Sequence, residues 1–364
     1  SSTTGSTVTP GTITAVSSPS ASTDSPFDDP AAHIFGESGS ESVIKTGSYI
    51  GNGSTTGPEI NLGWEPQWVL IKSSSASVSW HMFDSMRGIP TGASDARLEA
   101  DENGSEFSNS NATYNYLDLT PTGFKIKTSG GWVNTSGDNY IYMCIRRPDG
   151  YVGKPPSLGT DVFTPILNAT DSAEPFYRAA NHVVDFALAK RYDAIENWWS
   201  SSRLIQGKYL QTNTTSAEQS NSYQKFDFSS GYNSYDGTGA GNNIGYLWKR
   251  HAGFDVVCYE GNGSARQISH SLSKSPEMIW IKCRDNTFNW KVYHKGTNGG
   301  TNPEQYYFRL NHSDAEATDS TMWNNTAPTS TAFTIGSAGG VNNNNNDYIA
   351  MLFASVDGIS KVGY

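Results

Sequence analysis

The chain has 364 residues, of which 36 are glycine, 12% are aromatic and only 16% are charged. That length exceeds what one hydrophobic core usually fills, and the composition describes many short strands joined by turns rather than amphipathic helices. A net charge of −10 argues against nucleic acid as a partner, because phosphate recognition needs clustered Lys and Arg. No run approaches the roughly 20 apolar residues of a membrane-spanning helix, so no membrane insertion is expected.

Residues 1–40 are rich in Ser, Thr and Pro and nearly devoid of large apolar side chains before Phe27. Such a segment buries too little surface to fold alone, which predicts a linker or a disordered, extended arm. It starts at Ser1 with neither an initiator Met nor an apolar signal core.

From residue 41 onward the chain repeats itself. Tyr49-Ile-Gly-Asn-Gly-Ser54 returns as Tyr259-Glu-Gly-Asn-Gly-Ser264, and the same offset of 210 places Pro66 on Pro276, Ile71-Lys72 on Ile281-Lys282, Trp80 on Trp290 and Phe83 on Tyr293. Further on, Arg97-Leu98 faces Arg309-Leu310, Phe124 faces Phe333, and Tyr140–Met143 faces Tyr348–Met351. A more diverged middle copy lies at an offset of 118, with Phe186–Lys190 on Trp68–Lys72 and Trp198 on Trp80. These matches predict units at 41–158, 159–253 and 254–364 behind the arm. The spacing from Gly253 to Tyr259 recurs from Gly358 to Tyr364, so the series is expected to break off where a fourth unit would open.

Each unit carries an Asn-Gly turn, whose residues supply positive φ, then a Pro that opens an apolar strand. A Trp-x-x-aromatic strand, a long polar loop, a Phe strand and a final strand follow. Bulky groups alternate in Trp68–Lys72, Trp80–Phe83, Gly123–Lys127 and Tyr140–Ile145, as expected where one face of a sheet meets another. The predicted fold is all-β: tandem sandwiches of jelly-roll or concanavalin-like type, built from hairpins in series. Phe176–Lys190 aligns with a strand and is read as one. Trp80, Trp198 and Trp290 recur at one position and are read as core.

No motif of a nucleophilic, metallohydrolase or nucleotide-binding site is present, so no catalytic residue is expected. Gly237–Gly241 reads as a hairpin tip, and a carboxylate pair such as Asp118 with Asp138 has no support from spacing. Asp101–Gly104, Asp314–Glu316 and Asn342–Asp347 offer oxygen ligands of the kind calcium takes, but solvated turns are the plainer reading and no metal residue is assigned. Cys144, Cys258 and Cys283 are read as buried thiols, with a Cys258–Cys283 bridge only if their strands are neighbours. The basic runs Arg146-Arg147 and Lys249-Arg250-His251 are read as solvated strand ends. Aromatic residues without counterparts in the other copies, namely Trp132, Trp199, Tyr232, Tyr235 and Trp323, are the candidates for stacking on a sugar.

The runs Gly47–Ser54, Gly63–Lys72, Trp80–Gly88 and Tyr140–Met143, together with Trp248–Phe254 and Asn298–Tyr306, resemble the repeated domain of large structural proteins of marine tailed phages, especially cyanophages. The resemblance spans about residues 41–364 and implies a virion protein of tail-fibre kind with no catalytic residues to carry over. It implies a location at the virion surface or outside the cell. Its partners would be further copies of itself, as a trimer, other virion proteins, and a bacterial surface glycan or protein. A decoration or filament protein that binds no ligand, and a carbohydrate-degrading tailspike, are the alternative readings.

Overall fold

The structure is a computed structural model and is described for residues 43–92, 94–107, 114–147, 152–168, 177–220, 224–226, 231–233 and 242–364. The predicted arm, Phe176, Tyr235 and Gly237–Gly241 lie outside the described residues. The fold is all-β and of sandwich type, with several separate antiparallel sheets.

The first range holds β1 (Ile44–Ile50), β2 (Glu59–Asn61), β3 (Pro66–Ser73), β4 (His81–Asp84), β5 (Leu98–Glu99), β6 (Leu117–Thr120), β7 (Gly123–Ile126) and β8 (Asn139–Arg146). The middle range holds β9 (Phe163–Asn168), β10 (Tyr177–Ala179), β11 (Phe186–Arg191), β12 (Trp199–Ser202), β13 (Lys208–Gln211), β14 (Gln219–Ser220), β15 (Gly231–Asn233) and β16 (Asn243–Trp248). The last holds β17 (Phe254–Glu260), β18 (Arg266–Ser269), β19 (Met278–Cys283), β20 (Lys291–His294), β21 (Tyr306–Tyr307), β22 (Ala317–Thr318), β23 (Ala332–Ile335) and β24 (Asp347–Phe353).

The three main sheets run β1-β8-β3-β4-β5, β9-β16-β11-β12-β13-β14 and β17-β24-β19-β20. Each is accompanied by a smaller one, β2-β7-β6, β10-β15 or β18-β23. One strand order thus recurs, and so does the register: Trp68 pairs with Ile145, Phe186 with Trp248 and Met278 with Phe353. In each main sheet the first strand lies beside the last rather than beside the next in sequence. The expectation of hairpins in series therefore holds only locally, as at β3–β4 and β6–β7.

Alternation explains the burial. In β3 the side chains of Val69 and Ile71 are fully buried while their neighbours are half-exposed, and in β19 Ile279 and Ile281 are fully buried with Trp280 half-exposed between them. Each range has its own core, centred on Phe83, Phe124 and Tyr140 in the first, Val184, Phe226 and Leu247 in the middle, and Tyr293, Phe333 and Tyr348 in the last. A fourth cluster joins the middle and last sheets through Phe186, Leu210, Phe254, Trp290 and Met351.

The sheets touch pairwise. Gln206 Nε2 donates to Met86 O at 2.7 Å between first and middle, and Trp290 Nε1 donates to Gln211 O at 2.9 Å between middle and last. Lys127 and Glu260 pair at 3.3 Å between last and first. At the junction Asp185 lies between Arg147, at 2.7 Å, and Arg203, at 3.6 Å. Arg250 in turn lies between Glu65, at 2.7 Å, and Asp255, at 2.6 Å. The Arg250 backbone N–H donates to Asp185 Oδ2 at 2.7 Å and links the two triads. Burial pushes the Asp185 carboxyl up, but Arg147 and Arg203 outweigh it and hold the group below its ordinary range.

Three expectations are corrected here. Arg147, Arg250 and His251 are buried, not solvated strand ends, because acidic partners from other sheets neutralise the two arginines. Of the recurring tryptophans only Trp290 is core, since the middle sheet covers it, whereas Trp80 is 37% exposed and Trp198 half-buried. The segment up to Lys190 is not one strand: β10 and β11 belong to different sheets, with residues 180–185 between them. The cysteines are free, and β24 separates Cys258 from Cys283, so these two are not neighbours.

Candidate functional site

The repeated turn proves to be architecture. Gly53 and Gly263 have φ of 65° and 71°, and the adjacent turn backbone is held by a buried asparagine from the far end of the unit. Asn134 Oδ1 accepts the Asn52 N–H at 2.9 Å, while its Nδ2 donates to Ser54 O and Thr128 O. Asn342 does the same for Asn262, Ser264 and Gly336. Beside each clamp two tyrosines stack, Tyr49 on Tyr140 at 5.1 Å and Tyr259 on Tyr348 at 5.2 Å.

The oxygen-rich loops are likewise engaged. Asp101 Oδ1 accepts the Trp80 N–H at 2.8 Å, Asn213 the Trp198 N–H at 3.0 Å and Asn311 the Trp290 N–H at 3.1 Å, so these three do one job. Asp314 pairs with Arg309, and Glu316 accepts the Asn298 N–H. Among the described residues there is no group of three or more His, Cys, Asp or Glu placed to hold a metal ion.

The aromatic candidates separate sharply. Tyr232 is 1% exposed and packs on Phe226 at 5.0 Å, and Trp323 is 2% exposed with its Nε1 donating to Tyr306 O at 2.8 Å. Neither ring offers a face to a sugar. Trp323 meets Tyr293 as Tyr116 meets Phe83, at 5.8 and 5.5 Å, so it occupies a core position after all. Trp199 is half-buried against Tyr209 at 5.4 Å. Trp132 is 42% exposed.

Around Trp132 lies a polar cluster. The Arg97 guanidinium carbon is 4.4 Å from the ring centre of Phe107, 4.9 Å from that of Trp132 and 5.1 Å from that of Tyr116. Phe107 is itself exposed, whereas Arg97 and Tyr116 are buried. Arg97 pairs with Glu99 at 3.1 Å, and Glu99 stands 3.5 Å from His81 Nδ1. Asp95 Oδ2 accepts the N–H groups of Tyr116 and Leu117 at 2.6 and 2.9 Å. Among the described residues, both ring nitrogens of His81, Asp95 Oδ1, Arg97 Nε and Nη1, and Tyr116 Oη have no hydrogen-bond partner. So many uncommitted buried polar atoms in one place are uncommon in native proteins.

Burial, reinforced by Arg97, lowers His81 to about 4, so the ring is neutral at pH 7. Burial raises Asp95 well above the carboxylate range against its two backbone donors. Burial likewise pushes Tyr116 up to about 12. The arrangement is one of cation, neutral donors and exposed aromatic surface, suited to holding a polar molecule rather than transferring a proton.

The last unit lacks this cluster. Leu98 pairs with Met82 as Phe308 bridges to Val292, which sets Arg97 opposite Tyr307 rather than Arg309. There the cation comes from the other strand: Lys291 Nζ lies 4.2 Å from the Tyr307 ring centre. Sequence alignment slipped by two residues in this loop and so hid the exchange.

Fold and site together define an all-β protein of sandwich type, with several separate antiparallel sheets and an aromatic platform beside the first. A family model described as a domain of unknown function, DUF7483, matches residues 1–147 and 248–364, and the chain belongs to that family. The match leaves out 148–247, the range of the middle sheet. No curated protein matches the chain.

Proposed function

We propose that this protein is a structural component of a virus particle, a tail fibre or surface appendage that contributes to host attachment. The first unit would present the attachment face to a bacterial surface glycan or protein. The single observation that carries the reading is the Trp132 platform: exposed indole and Phe107 beside Arg97, with uncommitted donors and acceptors beneath. Sugar recognition combines an aromatic face with groups of that kind. The junction of paired buried charges supports the scaffold half of the reading, since it fixes three sheets against one another. Self-association and contacts with other virion proteins at the particle surface belong to the same proposal.

The test is adsorption of the purified protein to cyanobacterial cells, beside Trp132→Ala and Phe107→Ala. Loss of adsorption in both variants at unchanged melting temperature is expected. Failure of the parent protein to adsorb, or equal adsorption by the variants, would overturn the attachment face. Antibody labelling of particles in micrographs tests the location.

A further inference from the structure

We infer that the outer face of the first main sheet is a self-association surface, on which a second copy of this chain packs its own equivalent face. The ladder registers define that face. Tyr49, Val69, Phe83 and Tyr140 belong to the first core. By the alternation of strands, Ile44 in β1, Leu70 in β3, Met82 in β4 with Trp80 just before it, and Ile141 and Met143 in β8 stand on the other side of the sheet. Ile44, Trp80 and Ile141 are exposed and the other three half-buried. Among the described residues none of the six joins a core cluster.

The last sheet shows the same face covered. By register Phe254 stands where Ile44 does, Ile349 and Met351 where Ile141 and Met143 do, and Trp290 precedes β20 as Trp80 precedes β4. Those four are buried, because Phe186, Leu204, Ile205 and Leu210 of the middle range pack on them. The seam inside the chain is thus a face of this kind closed by another unit. In the first range the equivalent face has no such cover among the described residues, and the covering side chains of the middle range are already engaged.

The bare face fits an apolar partner. Its charged members stand at opposite ends: Lys72 Nζ donates to Ser73 O at 2.8 Å and to Ala76 O at 3.2 Å, and Asp84 pairs with Arg87. Four strands about 4.8 Å apart and up to about seven residues long, at about 3.3 Å each, give a plan area of about 400 Å². A contiguous apolar patch of that size marks an interaction surface, and side-chain relief brings it near the low end of specific interfaces. A second copy brings a face of matching size and polarity. A face that packs on itself closes as a dimer, not as the trimer that the resemblance implies. The platform is left open, since its His81 and Glu99 pair on the opposite side of the same sheet.

The experiment is sedimentation equilibrium of the full chain over a concentration series. The mass should rise from 39.5 kDa toward twice that value, with a dissociation constant on the order of 10 µM, as suits a small interface. Leu70→Glu and Ile141→Glu should each raise that constant about tenfold or more, with the melting temperature of the dilute protein unchanged. Ile195→Glu, at a fully exposed position of the middle range, should associate like the parent. A parent that stays monomeric up to about 200 µM, a mass converging on three copies, or parent-like association of both Leu70→Glu and Ile141→Glu would overturn the proposal. If the parent is monomeric and Ile141→Glu lowers the melting temperature, a segment of the same chain covers the face instead. Both variants keep Trp132 and Phe107, so failure of host adsorption would leave this outcome standing.

Discussion

Nη1 of Arg250 lies 2.8 and 2.7 Å from the two carboxylate oxygens of Glu65, a residue 185 positions earlier. Both side chains are buried, and the pair ties the first sheet to the loop that opens the last. Removing one member of a buried pair leaves the other charge uncompensated. Glu65→Ala should therefore lower stability by about 3–5 kcal/mol, and Glu65→Leu with Arg250→Met should recover a large part of that loss. Urea denaturation of both variants checks this, and a single mutant as stable as the parent would contradict it.

The two asparagine clamps are equivalent and share no hydrogen-bond partner. Asn134→Ala and Asn342→Ala each strand a turn N–H and two carbonyls, at about 1–3 kcal/mol apiece. The double variant should show the sum, because sites without shared partners add. Thermal unfolding of the three proteins reads the comparison directly.

Trp290 and Trp80 hold one position of the strand order in opposite surroundings. Trp290→Ala opens a cavity in the seam and removes the bond to Gln211, for an expected loss of about 3–5 kcal/mol. Trp80→Ala should stay within about 1 kcal/mol, as exposed substitutions usually do. Tryptophan emission offers a second readout, with the blue-shifted component reduced only in the first variant, since Trp64 and Trp323 are buried as well.

Acid and neutral pH pull in different directions. Burial holds His81 and His251 at about 4, below their unfolded value of 6.5. Their contribution is thus present above pH 6.5 and lost as pH falls toward 4. Asp347 is raised to about 6, first by burial and then by Asp285, Asp118 and Glu260 against the lowering effect of Arg284. Its contribution is present at low pH and lost as pH rises through 6. In Asp347→Asn the fall in stability between about pH 4 and 6 should shrink, whereas His81→Leu should flatten the acid limb below 6.5. Denaturation midpoints across that range test both slopes.

Much of the fold was legible because strand-forming residues and turn glycines act locally. Pro66 opens β3 as expected, and Phe124 and Phe333 are fully buried partners of Ile60 and Ile268. Long-range pairing was not legible: nothing in Tyr49–Ser54 announces that its asparagine partner stands at 134. The burial of Arg147 and Arg250 was equally hidden, because a basic run looks the same whether water or Asp185 and Glu65 surround it. At the platform only Trp132 was visible beforehand. Arg97 was masked by Arg309, whose similarity reflects a loop of different length and not a shared place in the sheet.

The pairing of first strand with last has a consequence for how such chains grow. In the first unit Ile44 lies opposite Ile145, and in the last Phe254 lies opposite Phe353. A unit's entrance and exit are thus side by side, so a duplicated stretch of gene can be spliced in at one point without parting any ladder. That geometry makes lengthening cheap in evolutionary terms, and it would leave a newly added unit free to diverge.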